Sequence, residues 1–262
     1  MLEASMPRLV FITGASSGIG QAMALRYAKA GWRLALVARR LKVMQEWAEA
    51  QGLPPEQCAC YAADVCDAAS ISAAAQACIA TQGLPDVVIA NAGLAMGLDP
   101  ASFEHLALLR DVHAANVYGL AATFQPFIQP LCERGSGTLV GIASGAGLRG
   151  MPGNGAYGSS KAAVISYCES LRGDYRDAGI KVVTIAPGYV ATPMTDDNPF
   201  PMPFLITPEV FADRAFEAVE AGARFRVIPW QMGVMLRLFR NMPDALFDRV
   251  AAKLPRKQRQ GT

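Results

Sequence analysis

The sequence predicts an α/β protein: a doubly wound parallel sheet of about seven strands with helices on both faces. Two observations carry this. Short apolar runs alternate with helical patterns from Leu9 to Ile228 without a break in composition. Apolar residues make up 52% of the 262 residues, and the mean hydropathy is +0.22, as strands buried on both faces require. One domain spanning 1–262 accounts for the length. Repeats, linkers and low-complexity tracts are lacking, and residues 230–262 read as an amphipathic extension with a basic tail.

The first strand, Leu9 to Thr13, leads into Gly14-Ala15-Ser16-Ser17-Gly18-Ile19-Gly20, and an alanine-rich helical pattern follows to Ala30. Strand, glycine turn and helix N-terminus suit a phosphate. Glycine lets the backbone approach an anion, and the first helical N–H groups are unpaired. Glycines serving only a tight turn give the same pattern. The second strand, Arg33 to Ala38, ends in Arg39-Arg40. At this point of a dinucleotide fold a carboxylate suits a ribose 2′-hydroxyl, whereas guanidinium groups suit a 2′-phosphate. The other reading is a solvated basic pair opening the helix of Leu41 to Gln51.

Cys58 to Ala63 predicts a third strand, closed by Asp64, with a helix from Ala68 to Thr81 behind it. The fourth strand, Asp86 to Ala90, ends in Asn91-Ala92-Gly93, a small loop expected beside the crevice. One long helix is predicted from Phe103 to Glu133. It carries Asn116, either a surface amide or one with a specific task. His105 and His113 match no metal or triad spacing and are given structural roles.

The fifth strand, Gly137 to Ala143, presents Ser144 at its end, and a glycine-rich segment leads to Tyr157 and a helix to Asp177. Helical spacing puts Tyr157 and Lys161 on one face, about 5–6 Å apart at Cβ. A phenol titrates near about 10. An ammonium beside it favours the phenolate, so the pair can serve as a general acid/base. A half-buried ring beside a snorkelling lysine reads the same. Lys181 to Ala186 is the sixth strand, followed by Pro187-Gly188. Tyr189 to Ile206 shows no periodicity and holds Met194, Phe200, Met202 and Phe204, which predicts a lid. Thr207-Pro208 starts a helix to Ala221, and Arg226 to Ile228 is the last strand.

Net charge is +2 with 18% charged residues, so no bulk attraction to nucleic acid is expected. Six cysteines without Cys-x-x-Cys or zinc spacing predict buried free thiols in a reducing compartment, and no metal. Met1 to Arg8 lacks a secretory apolar core, and no stretch reaches the roughly eighteen apolar residues of a membrane span. A cytoplasmic address is expected.

Together these motifs resemble the short-chain dehydrogenase/reductase family from Arg8 to Pro229. Thr13 to Gly20 matches its cofactor fingerprint, and Asn91-Ala92-Gly93 its sheet-stabilising motif. Asn116, Ser144, Tyr157 and Lys161 fall at its catalytic positions, with Pro187-Gly188 following. Ala90 departs from the pattern, since many members carry a second asparagine there. The resemblance implies a Rossmann-like fold, a homodimer or homotetramer, and hydride transfer between a nicotinamide and a carbonyl or secondary alcohol. Tyr157 would pass the proton and Ser144 hold the substrate oxygen. Lys161 would bind the nicotinamide ribose and lower the tyrosine pKa, and Asn116 would hold a water linking Lys161 to solvent.

The same resemblance assigns the cofactor to Gly14, Ser16, Ser17, Gly18, Ile19 and Gly20, with Asp64 and Val65 at the adenine. Asn91, Ala92, Gly93, Pro187, Gly188, Val190 and Thr192 complete it. Arg39 as the larger contributor, with Arg40, favours NADPH over NADH. Ser16 and Ser17 stand where relatives often carry a further basic residue, so the preference is not absolute. Leu94, Met96, Leu148, Met151, Tyr189, Met194 and Phe204 are expected to line a lipophilic substrate pocket. Gln231 to Met242 is apolar with Arg237 and Arg240 interspersed, and Pro255 to Arg259 is basic. Packing on the chain's own subunit or on a partner is the expected role of this segment, with membrane-surface contact the other reading. The alternative to an enzyme is a dinucleotide-binding regulator of the same fold. The presence of both Tyr157 and Lys161 favours turnover.

Overall fold

The computed structural model describes residues 7–196, 198 and 201–252. Seven strands, β1 (Leu9–Thr13), β2 (Arg33–Ala38), β3 (Cys58–Ala62), β4 (Val87–Ala90), β5 (Gly137–Ile142), β6 (Ile180–Pro187) and β7 (Phe225–Ile228), form a sheet in the order 3-2-1-4-5-6-7. Every pairing is parallel, with Thr13 beside Val37, Ile12 beside Ile89 and Ile142 beside Ile185. The winding reverses between β1 and β4, which opens a crevice at the strands' C-terminal ends.

The helices are α1 (Gly18–Lys29), α2 (Leu41–Ala50), α3 (Ala68–Gln82), α4 (His105–His113), α5 (Gly119–Arg134), α6 (Gly155–Asp174), α7 (Pro208–Glu220), α8 (Trp230–Asn241) and α9 (Asp244–Ala251). Their boundaries follow from the chain. Asp67 caps α3 by accepting from the N–H groups of Ala69 at 2.9 Å and Ser70 at 3.3 Å. Thr207 caps α7 through Val210 N–H at 3.3 Å, with Pro208 at the first helical position. The helix-to-strand returns pass through Gly31, Gly52, Gly83, Gly135, Gly179 and Gly222, all with positive φ.

Strand alternation sends side chains to both faces. Val10 and Ile12 join Met23 and Tyr27 of α1 and Phe211 of α7. Leu9 and Phe11 join Ile71 of α3, Phe127 of α5 and Val164 of α6. Phe11 and Phe127 meet edge-on, with ring centroids 4.8 Å apart. Each such burial contributes about 1.5–3 kcal/mol.

The structure departs from the sequence reading in three places. The long helix is broken by a π turn at Ala114–Tyr118, whose extra residue turns Asn116 inward. Helix α9 was not expected, although Pro243 followed by Asp244 is a helix-start signal. Buried thiols are found at Cys58, Cys78 and Cys168, but Cys66 is exposed, because it sits in the loop leaving β3 rather than on a strand. Of the lid stretch, Phe200 lies outside the described residues, as does the basic tail from Pro255 to Arg259. No helix among the described residues is long and apolar enough to cross a membrane.

Candidate active site

At the crevice the chain crosses from β1 into the glycine turn. Thr13 ties this turn to the loop after β4. Its Oγ1 accepts from the N–H groups of Asn91 at 3.2 Å and Ala92 at 3.3 Å, and Asn91 Nδ2 donates to the Thr13 carbonyl at 3.0 Å. Gly14 has φ +69°, and a Cβ there would stand 2.8 Å from Ala92 Cα. A Cβ on Gly20 would run into the Gly14 carbonyl oxygen. Ser17 precedes α1 without a capping side-chain bond, so the helix N-terminus faces the cleft with no side chain satisfying it.

Arg39 and Arg40 leave β2 on the same side. Arg40 Nη2 donates to Ser16 Oγ at 3.1 Å. Arg39 Nη1 lies 3.8 Å from Asp64 Oδ2, an exposed pair worth little in stability.

Asn116 is fully buried by its π turn. Its Oδ1 accepts from Leu94 N–H at 2.7 Å, while Nδ2 donates to the Leu94 carbonyl at 2.9 Å and to Ser160 Oγ at 2.8 Å. The surface-amide reading therefore fails. Gly93 separates two polar groups, since a Cβ there would stand 2.8 Å from Asn116 Oδ1 and 3.5 Å from Lys161 Nζ.

On α6, Lys161 is 4% exposed and its Nζ donates to the Ile142 carbonyl at 2.8 Å. Burial holds its pKa down to about 8. Tyr157 bonds Ser144, which favours its ionised form, but burial dominates and pushes the phenol above its ordinary value. Lys161 Nζ lies 5.8 Å from the centre of the Tyr157 ring and is turned to the Ile142 carbonyl. The expected lowering of the tyrosine by this lysine is therefore not met. The two histidines are structural: His105 Nδ1 accepts from Asp99 N–H at 2.8 Å, and His113 Nε2 lies 2.9 Å from Ser159 Oγ.

One cleft of about 350 Å³ runs from the glycine turn past Arg39, Arg40, Asp64 and Val65 to Ser144, Tyr157 and Lys161. It continues along Pro187, Gly188, Val190 and Thr192. Of the predicted cofactor and catalytic residues, Gly20 and Asn116 are absent from its lining, Gly20 packed under Gly14 and Asn116 behind Gly93. Val37, Ala63, Cys66, Ala115 and Thr195 line it too, and sequence reasoning missed them. Of these, Val37 and Ala63 were signalled by their place at strand ends. Thr195 Oγ1 accepts from Thr192 N–H at 3.0 Å, closing the turn at the cleft's far side.

Of the residues expected at a substrate, Leu94 and Met194 line this cleft. Leu148 and Met151 instead line a second one of about 570 Å³, with Arg149, Arg240, Phe247 and Ala251. Met96, Tyr189 and Phe204 line neither. Met96 packs on Leu98, Val112 and Ala156.

The family model for short chain dehydrogenases matches residues 8–200. The chain belongs to the short-chain dehydrogenase family. It is an oxidoreductase of that family. An uncharacterized oxidoreductase of Myxococcus xanthus is 36% identical over 250 residues, covering 94% of this chain and 97% of the relative. A sulfoacetaldehyde reductase of Chromohalobacter salexigens is 37% identical over 194 residues, covering 72% of this dehydrogenase and 75% of the relative. Among solved structures, a 3-ketoacyl-(acyl-carrier-protein) reductase from Brucella melitensis complexed with NADH superposes with a TM-score of 0.75 at 26% identity. That match covers 84% of this chain and 94% of the other.

Proposed function

We propose that this dehydrogenase transfers a hydride between NADPH and the carbonyl or secondary alcohol of a small lipophilic molecule, with Tyr157 as general acid/base. The observation behind this reading is the convergence of Ser144, Tyr157 and Lys161 in the cleft that begins at the glycine turn. The residues fit a dinucleotide. Gly14 and Gly20 leave no room for a side chain, the α1 N-terminus lacks a capping side chain, and the cleft joins both to Lys161. Bound there, the dinucleotide supplies or accepts the hydride.

The chain's own residues handle the proton. The Tyr157 hydroxyl gives its proton to the oxygen during reduction and takes it back during oxidation. Burial keeps the phenol protonated at neutral pH, ready as the acid. Ser144, already bonded to Tyr157, holds the substrate oxygen beside it. Lys161, with a pKa near 8, is mostly charged at neutral pH and would bind the nicotinamide ribose hydroxyls. Asn116 fixes the Gly93-Leu94 backbone beside Lys161 and holds α6 through Ser160.

The cofactor preference rests on charge. The chain after β2 offers Arg39 and Arg40, and Arg40 is already drawn to Ser16 on the turn. Asp64 faces Arg39 and competes with a phosphate for it, which makes Arg40 a fuller partner than its sequence position implied. Exposed Phe103, Leu106 and Tyr118 support a homodimer or homotetramer.

A panel of ketones, aldehydes and sterol-like alcohols, followed at the nicotinamide absorbance, tests the reading. Turnover with NADPH exceeding that with NADH is expected. Tight cofactor binding with no turnover on any member would leave a dinucleotide-binding regulator instead.

A further inference from the structure

Helix α8 lies against both loops that frame the substrate end of the first cleft. A Cβ on Gly145 would stand 2.6 Å from Leu236 Cδ1, and one on Gly188 would stand 2.7 Å from Met232 Cγ. The glycines that follow Ser144 and Pro187 therefore admit α8 side chains. The 3₁₀ turn Gly145–Gly147, which Ser144 caps through Ala146 N–H at 3.2 Å, is confined on its other side too. A Cβ on Gly147 would stand 2.6 Å from the carbonyl carbon of Lys161. The Ser144 turn is wedged between α8 and the backbone of the catalytic helix.

Two arginines lock the wedge. Arg149 Nη1 donates to the Arg240 carbonyl at 3.1 Å, and Arg240 Nη1 donates to the Leu148 carbonyl at 2.8 Å. Arg149 also bonds Asp244 Oδ1 at 2.8 Å and lies 4.3 Å over the Phe247 ring. Its side chain is 19% exposed, so these contacts hold a largely buried guanidinium. The exchange is reciprocal: each arginine satisfies a backbone carbonyl beside or on the other. It joins the loop after Ser144 to both α8 and α9. Neither arginine lines the first cleft, so neither belongs to the reacting or cofactor-binding set.

We propose that this arginine clasp makes α8 and α9 a positioning element for the active site, setting the Ser144 hydroxyl and the substrate-side wall through the wedged turn. The proposal rests on the role given to Ser144 above. Tyr157 and Lys161 ride on α6, and the glycine turn belongs to β1 and α1, so the bonds of the clasp reach the Ser144 turn before either of them. Loosening it moves Ser144 relative to Tyr157 while the glycine turn, on β1 and α1, keeps its geometry. A displacement near an ångström costs as much as about a hundredfold in rate.

The test compares wild type with Arg149→Ala, Arg240→Ala and two gentler variants, Arg149→Lys and Asp244→Asn. Readouts are steady-state kinetics, cofactor Kd and hydrogen exchange by mass spectrometry. Expected are faster exchange across residues 145–152 and a kcat lowered about tenfold or more in the alanine variants. Cofactor Kd should stay within about twofold, with partial recovery in Arg149→Lys. A merely structural role would lower stability and leave kcat per folded molecule and exchange at 145–152 unchanged, and that result overturns the proposal. Should an alanine variant fail to fold, Asp244→Asn, altering a carboxylate that is 91% exposed, carries the same readouts. Should wild type turn over nothing, the proposed function falls separately, and exchange at 145–152 decides the clasp alone.

Discussion

The Asn116 side chain satisfies both backbone polar groups of Leu94, accepting its N–H at 2.7 Å and donating to its carbonyl at 2.9 Å. A π turn brings this amide in, and it pins the loop that follows β4 against the helix bearing Tyr157. Asn116→Ala removes all three bonds and leaves buried donors and acceptors unmet, a loss of about 1–3 kcal/mol. The melting temperature should fall by about 3–10 °C. Scanning calorimetry checks this, and an unchanged midpoint would show that water replaces the amide without cost.

Tyr157→Phe keeps the ring and removes only the hydroxyl bonded to Ser144. Turnover should drop about 10²–10⁴-fold, while NADPH affinity measured by fluorescence titration stays close to wild type. A variant retaining most of its activity would put the proton on another group.

Lys161 predicts a pH dependence of stability. Burial lowers its pKa from 10.5 to about 8. Between these values the unfolded chain holds a proton on this lysine that the folded chain has released. The unfolded state then binds more protons, so stability rises with pH across that window. Relative to Lys161→Met, wild type should gain on the order of 3 kcal/mol from pH 8 to 10.5. Urea unfolding at both ends of the window measures the difference between the proteins. Parallel profiles would sink the assignment.

Cofactor choice separates the two arginines. Arg40→Ala should weaken NADPH about tenfold, the value of one charge-assisted hydrogen bond of about 1.5 kcal/mol, and leave NADH nearly unchanged. Arg39→Ala should also weaken NADPH selectively, and Asp64→Asn should relieve part of the competition for Arg39. Isothermal titration with both cofactors reads this directly. Equal losses for NADPH and NADH would mark both arginines as general surface charge.

What the sequence disclosed was whatever repeats locally. The seven strands are short apolar runs bounded by turns, and the glycine turn, Asn91 to Gly93, Tyr157 and Lys161 each sit within a few residues of the element that presents them. Long-range pairings were invisible. Nothing near Arg149 in the chain points to Asp244, 95 residues away. The inward turn of Asn116 needs one extra residue in a helical ladder, which no apolar period marks. Leu148 and Met151 read as pocket residues because they follow Ser144, but α9 lies across that stretch and gathers them into the second cleft. The tyrosine's direction was missed because burial raises it, while the lysine four residues along the same helix is turned to the Ile142 carbonyl.

The glycines of the helix-to-strand returns lie where strands begin, and the cleft lies where they end. At Gly31, Gly52, Gly83 and Gly135 no atom of the described residues, the adjoining residues aside, comes within 4 Å of where a Cβ would stand. The molecule thus has two rims that can be edited separately. Loops on the exit rim can drift toward new substrates while the entry rim keeps the chain's folding instructions intact. For the same reason the entry rim is the place to attach a surface tether or a fluorophore. A handle inserted beside Gly52 would immobilise the enzyme with its catalytic mouth facing solution.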